Sequence, residues 1–521
     1  MFSCMKCVSL QINVLYLCKV AYEKCCVRMK ILFVYSTQKT IVPQKPLLGQ
    51  EGIYHGIASI AGVLKQHQHE CRLIVLDRAN EKQNFKTLSQ KIEQFNPQII
   101  AFTAVFSEFE FICEIASQAK SHFPNLFFIA GGVHITLNPD EKYLSLFDAI
   151  CIGEGEAPVL ELVQRLKANE SIDNIQNLWV KTSDGIVKNP TRPFLQNLDE
   201  LPFPDREMWQ EWILEPHTKP TVLLGRGCPF DCTYCSNHSL RKISPGKYVR
   251  MRSPENILSE IRNLYKEYPD IDEIQLEVET IVIDRDWLKN FCEELETFGK
   301  ETGFKVCFST NLRIFPRMDV EFVFEQFKKA HITLVTVGLE SGSYRIRKEI
   351  LHRDYSNEQV LKAAETAKKY GIAVALFNMV GLPTETPAEF AETLQMNQQI
   401  QPAFHATSIF FPYPGTRIAE TCKQMNLLPE HINTKDERQL AVLDLPGFSR
   451  KQIQKCFDSF HYQVYQKKKN KSIPRLLIYY SMGFLGHNFY ANLKIALIRF
   501  LYRTKNRKIL SPRWFSIFQR S

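Results

Sequence analysis

The chain has 521 residues, 45% of them hydrophobic and 23% charged, with 15 cysteines and a formal net charge of +9. That balance excludes a disordered or collagenous chain, and the length suits about three domains. In a chain this long without a convincing secretory leader, the cysteines read as free thiols or metal ligands in the cytoplasm, not as a disulfide framework.

Residues 1–28 crowd Cys4, Cys7, Cys18, Cys25 and Cys26 into a segment with no regular apolar period. We expect a non-native or disordered extension there, with Met29 as the start. From Lys30 to Leu166 short apolar runs (Ile31–Tyr35, Leu73–Leu76, Ile99–Phe102, Leu126–Ala130, Ala149–Ile152) alternate with helical patterns at His55–Lys65, Leu88–Phe95 and Phe109–His122. This alternation predicts a doubly wound, Rossmann-like α/β domain over 29–166, with ligands at the carboxyl ends of its strands. Residues 167–219 form a connector. It holds a hairpin about Ser183-Asp184-Gly185, then Pro190, Pro193, Pro202 and Pro204 keep it extended. Over 220–430 six strand–helix repeats predict a partial (β/α)6 barrel of TIM type, whose chemistry sits at the strand ends. Residues 431–521 form a helical, basic C-terminal region in which, from Arg450 onward, Asp458 is the sole acid. No run there reaches the ~18 apolar residues of a membrane span, so peripheral contact with an anionic membrane is the expectation.

The sharpest signal is Gly225-Arg226-Gly227-Cys228-Pro229-Phe230-Asp231-Cys232-Thr233-Tyr234-Cys235, just after the first barrel strand. Three cysteines at spacings of four and three on one loop can converge on one metal centre. His238 as a fourth ligand gives a zinc reading. The alternative is an iron–sulfur cluster, which normally takes four cysteines. Three thiolates then leave one iron for an outside ligand.

Cys228-x3-Cys232-x2-Cys235, with Tyr234 before the last cysteine, resembles the signature of radical S-adenosylmethionine enzymes. The resemblance implies a [4Fe–4S] cluster on these three residues. Its open iron chelates S-adenosylmethionine, and reductive cleavage yields a 5′-deoxyadenosyl radical. It also implies an external one-electron donor such as a flavodoxin or ferredoxin. Gly338-Leu339-Glu340-Ser341-Gly342 and the loop starting at Gly381 resemble the family's strand-end motifs. The cosubstrate is thus expected near Tyr234, Glu279, Arg313, Gly338, Glu340, Ser341 and Gly381. At Val278-Glu279 this chain departs from the Asp-Asp of many relatives.

The front segment resembles the cobalamin-binding domain that precedes many such enzymes. The matching positions are His55-Gly56, Gly131-Gly132-x-His134 and Gly153-Glu154-Gly155-Glu156, with Thr103 at a strand end. Glycine loops let a large flat cofactor approach the backbone. The common Asp-x-His-x-x-Gly pattern is absent, because Ala79 follows Asp77-Arg78; a cobalt without a protein histidine is expected. The resemblance implies a cobalamin-dependent enzyme that methylates or rearranges an unactivated carbon of a small-molecule or lipid substrate. The alternatives are a cyclase or oxidase, a tRNA methylthiotransferase-like enzyme, and a non-catalytic iron–sulfur or cobalamin sensor. Only Cys71, Cys113 and Cys151, widely scattered, are available in the front domain for a second cluster, and a nucleic-acid partner is not expected.

Overall fold

The structure is a computed structural model that describes residues 28–38, 44–78, 81–103, 105–303, 305–435 and 437–466. The extension before Arg28, Ala79 and the segment beyond Gln466 lie outside the described residues.

Two sheets organise the chain. The front sheet holds β1 (Lys30–Thr37), β2 (Glu70–Asp77), β3 (Ile99–Thr103), β4 (Phe127–Gly131), β5 (Ala149–Cys151), β6 (Leu178–Thr182) and β7 (Gly185–Lys188), in the order β2-β1-β3-β4-β5-β6-β7. The first five strands are parallel. Ile31 to Val34 of β1 are all buried, as expected for a strand covered by helices on both faces. The hairpin β6–β7, read in the sequence as part of the connector, pairs antiparallel with β5 and extends this sheet. The turn at Ser183-Asp184-Gly185 announced a hairpin but not the edge it would join.

After β8 (Thr221–Leu223) come β9 (Gly225–Arg226) and β10 (Arg250–Met251), a short antiparallel pair. The barrel sheet then runs through β11 (Glu273–Glu277), β12 (Cys307–Leu312), β13 (Ile332–Glu340), β14 (Ala373–Val380) and β15 (His405–Ile409). The order β15-β14-β13-β12-β11-β8 is parallel throughout. The intervening helices start on side-chain caps from Ser253, Asp284, Asp319, Ser356 and Thr386, each accepting a backbone N–H. Helix Arg450–Tyr465 buries Ile453, Phe457 and Phe460 in one apolar cluster with Phe390 and Phe410 of the barrel and Phe448 of the segment that leads into the helix. This portion of the basic C-terminal region therefore spends its apolar face on the protein and not on a membrane. Among the described residues no helix is long and apolar enough to cross one.

The two sheets are clamped through charge. Arg226 of β9 pairs with Glu154 (3.0 Å) and Glu156 (2.6 Å), and Arg250 of β10 holds Glu154 at 2.9 Å. Ser59 donates to Glu156 from the His55–Gln66 helix. Burial alone would raise the Glu156 carboxyl, but Arg226 and Ser59 hold it below the usual carboxylate range.

Candidate active site between two cavities

The cysteine loop leaves β9 through Gly227, whose φ of +87° and approach to Tyr248 suit only glycine. A Cβ there would stand 2.3 Å from the Tyr248 carbonyl oxygen. Cys228 and Cys232 are buried and Cys235 is half-buried. Each sulfur has a polar neighbour. Arg313 donates to Cys232 Sγ, Asn237 Nδ2 donates to Cys235 Sγ at 3.4 Å, and Thr280 Oγ1 lies 3.7 Å from Cys228 Sγ. Burial pushes the Cys228 and Cys235 thiols up, so a metal must displace their protons and replace the charge. Donors aimed at sulfur suit thiolates that hold an iron–sulfur cluster, where such hydrogen bonds tune the potential. His238 does not join them. Its Nδ1 meets the Cys232 carbonyl at 3.2 Å and its Nε2 accepts the Arg417 N–H at 3.3 Å. Among the described residues no three His, Cys, Asp or Glu side chains gather as a single ion requires.

Tyr234 and Glu340 meet beside this loop. At the end of β13 the pairing with β14 slips between Gly338 and Glu340, and Glu340 takes φ +60°. Its carboxylate folds back over Gly338, where a Cβ would lie 2.5 Å from Oε1. Tyr234 O–H donates to Glu340 Oε1 at 2.8 Å. Arg353, which the sequence reading missed, donates to both Tyr234 (2.7 Å) and Glu340 (3.0 Å), and to the Gly338 carbonyl at 2.8 Å. Burial, helped by the neighbouring Glu340 carboxylate, pushes the Tyr234 hydroxyl well above its ordinary value against the lowering pull of Arg353.

The other expected cosubstrate residues divide. Arg313 stacks over Phe230 at 3.8 Å as it reaches Cys232. Glu279 stands in the front cavity described below, and burial in that recess pushes its carboxyl up. Ser341 is fully buried, accepting the Ser343 N–H and, through its carbonyl, Arg347. Gly381 gives its N–H to Glu385 and is covered by Ile453. Ser341 and Gly381 therefore support the walls and are not part of the cavity lining.

Two cavities flank the cysteine loop. The front one, about 360 Å³, opens between the two sheets. It is lined by His55, Gly56, Thr103, Gly131, Gly132, Gly153, Glu154, Gly155 and Glu156 from the front domain, and by Arg226, Gly227 and Tyr248 from the barrel. Every residue expected to meet cobalamin lines it except His134. The two ring nitrogens of His55 are buried there without hydrogen-bond partners, and burial holds the imidazole neutral, its pKa lowered to about 3. Orphaned buried nitrogens in a glycine-rimmed cavity fit a cofactor that brings its own polar groups. His134 turns the other way, against Phe109 at 4.4 Å, and lines the second cavity. One residue after Gly132 (φ +103°) a short helix, Val133–Leu137, begins and carries His134 to the opposite side. This second cavity, about 620 Å³, lies in the barrel. Tyr234, Cys235 and Glu340 form one wall and Asn378, Thr407 and Phe411 another.

Two family models match the chain: the radical SAM superfamily over residues 222–396 and the B12 binding domain over residues 48–163. An uncharacterised methyltransferase of Pyrococcus horikoshii is 28% identical over 445 residues, 85% of this chain and 93% of the relative. The anaerobic magnesium-protoporphyrin IX monomethyl ester cyclase of Rubrivivax gelatinosus is 26% identical over 368 residues, 69% of this chain and 64% of the relative. Among solved structures, the cobalamin-dependent S-adenosylmethionine radical enzyme OxsB with aqua-cobalamin and S-adenosylmethionine superposes with a TM-score of 0.65 at 16% identity. That match covers 95% of this chain and 75% of that one.

Proposed function

Since the chain belongs to the radical S-adenosylmethionine enzymes that carry a cobalamin-binding domain before the barrel, we propose that it methylates an unactivated carbon of a substrate held in the barrel cavity. A [4Fe–4S] cluster, S-adenosylmethionine and cobalamin are its cofactors. The cluster supplies the electron that breaks the sulfonium carbon–sulfur bond, and cobalamin supplies a carrier for the methyl group.

One observation supports this reading above the others. The near end of the cysteine loop, Arg226 and Gly227, lines the front cavity, while its far end, Tyr234 and Cys235, lines the barrel cavity. A cofactor in the front cavity and a cosubstrate in the barrel would thus flank one loop. Cys228, Cys232 and Cys235 would hold the cluster, with Asn237 and Arg313 bonded to two of the sulfurs. Tyr234 and Glu340 would bound the cosubstrate. The Arg226 and Arg250 clamp would keep the cavities in register.

The enzyme needs an external electron donor, for which we propose a flavodoxin or ferredoxin. A reducing cytoplasm suits its cysteines, all of them free among the described residues. A small molecule or lipid fits the barrel cavity as substrate. Peripheral membrane contact is proposed only for the basic segment beyond Gln466. Transfer of a methylthio group to RNA is disfavoured, because Cys71 on β2, Cys113 on the Phe106–His122 helix and Cys151 on β5 lie on separate elements, with three strands between β2 and β5.

The test uses anaerobically reconstituted, cobalamin-loaded full chain with a chemical reductant and S-adenosylmethionine. Methyl transfer predicts that S-adenosylhomocysteine forms along with 5′-deoxyadenosine, and that only the former requires cobalamin. 5′-Deoxyadenosine alone would favour ring closure, the chemistry for which the Rubrivivax relative is named.

A further inference from the structure

Among the described residues a single side chain, Val133, lines both cavities. Its neighbours divide cleanly. Gly131 and Gly132 face the front cavity, and His134, Leu137 and Asn138 face the barrel cavity. The segment is fixed from both domains. Gly132 starts the Val133–Leu137 helix, and its carbonyl accepts the Thr136 N–H at 3.0 Å. Thr136 Oγ1 in turn accepts the Gly153 N–H at 3.0 Å. On the barrel side Asn138 Nδ2 reaches the Pro414 carbonyl at 3.5 Å, and a Cβ on Gly415 would touch Leu137 at 3.0 Å. His134 is wedged among Phe106, Phe109 and Tyr143. The helix therefore cannot swing aside cheaply, and it holds Val133 where the two linings meet.

We propose that Val133 is the threshold between the cofactor cavity and the barrel cavity, a positioning residue whose bulk sets the access of one bound group to the other. The inference rests on the functional reading above, since it needs cobalamin in front and S-adenosylmethionine in the barrel. Valine suits the role physically. It is apolar, so it offers no competing ligand, and β-branched, so it is stiff about χ1. A larger side chain would fill the passage, whereas alanine would widen it without adding a polar group.

The test reads the cobalt directly. Full-length wild-type protein and the Val133→Ala, Val133→Leu and Val133→Phe variants are reconstituted with cluster and cobalamin. The Co(II) form of each is examined by electron paramagnetic resonance before and after S-adenosylmethionine. Wild type and Val133→Ala are expected to show a spectral change on addition. Val133→Leu should show a smaller change and Val133→Phe none, while the iron content of the cysteine loop stays close to wild type. If Val133→Phe fails to retain cobalamin, the comparison of Val133→Leu with wild type decides. A response equal across the series, or no response in cobalamin-loaded wild type, overturns the threshold. A wild-type protein that binds no cobalamin overturns the reading of the front cavity instead.

Discussion

Replacing Cys232 with alanine is expected to empty the cysteine loop of iron and abolish S-adenosylmethionine cleavage while the chain stays folded. A cluster held by three thiolates has no spare protein ligand, and iron should fall from about four per chain toward zero. The backbone around the residue does not depend on its sulfur. The Cys232 carbonyl still meets His238 Nδ1 and accepts the Cys235 N–H at 3.2 Å. The loop is further pinned by Ile418, whose N–H donates to the Thr233 carbonyl at 3.1 Å. The contrast that gives the result meaning is Cys151→Ala, since Cys151 is buried in the front sheet and should leave the iron content unchanged. Iron and sulfide analysis with an assay for 5′-deoxyadenosine checks both variants. Full iron and full cleavage in Cys232→Ala would remove the assignment.

The second large effect is on stability. Arg353 and Glu340 have side chains only 5% and 12% exposed. The arginine bonds at once to the carboxylate, to Tyr234 and to the Gly338 carbonyl. Arg353→Met keeps the apolar stem but strands a buried carboxylate with the Tyr234 hydroxyl alone. Removing one partner of a buried ion pair costs about 3–5 kcal/mol. Denaturant unfolding of the anaerobic protein should show a loss of that order. Combining Arg353→Met with Glu340→Gln should recover part of it, because the stranded charge is gone. A loss of about 1 kcal/mol or less, the range of exposed pairs, would mean that the network is not structural. Since Tyr234 adjoins Cys235, the single variant is also expected to hold its cluster less firmly.

What the sequence disclosed followed how local the information was. The six barrel strands were legible because each is a short apolar run followed by a capped helix, and the cysteine loop because its three cysteines lie within eight residues. Glu154 and Glu156 were read only as cofactor contacts. Their partners, Arg226 and Arg250, lie some seventy or more positions further along in another domain, and nothing near the glutamates announces them. Arg226, two residues before Cys228, was in view all along, but its partners could not be read from the motif. His134 was grouped with its glycine neighbours, yet a single turn of helix after Gly132 reverses its direction. Arg353 follows a π-helical turn, Ile346–Ile350, thirteen residues beyond Glu340. No motif marks it, and only the folded carboxylate of Glu340 gives it a purpose. The β6–β7 hairpin was visible as two strands, but its sheet was not, because pairing partners are set by tertiary packing.

The most direct test of the central claim, that three protein thiols hold a cluster with one iron left for the cosubstrate, is the electron paramagnetic resonance spectrum of the reduced, reconstituted chain with and without S-adenosylmethionine. The expected result is a [4Fe–4S]⁺ signal that changes when S-adenosylmethionine is added and is missing from Cys232→Ala. A cluster signal indifferent to S-adenosylmethionine, or stoichiometric zinc in place of iron, would contradict it.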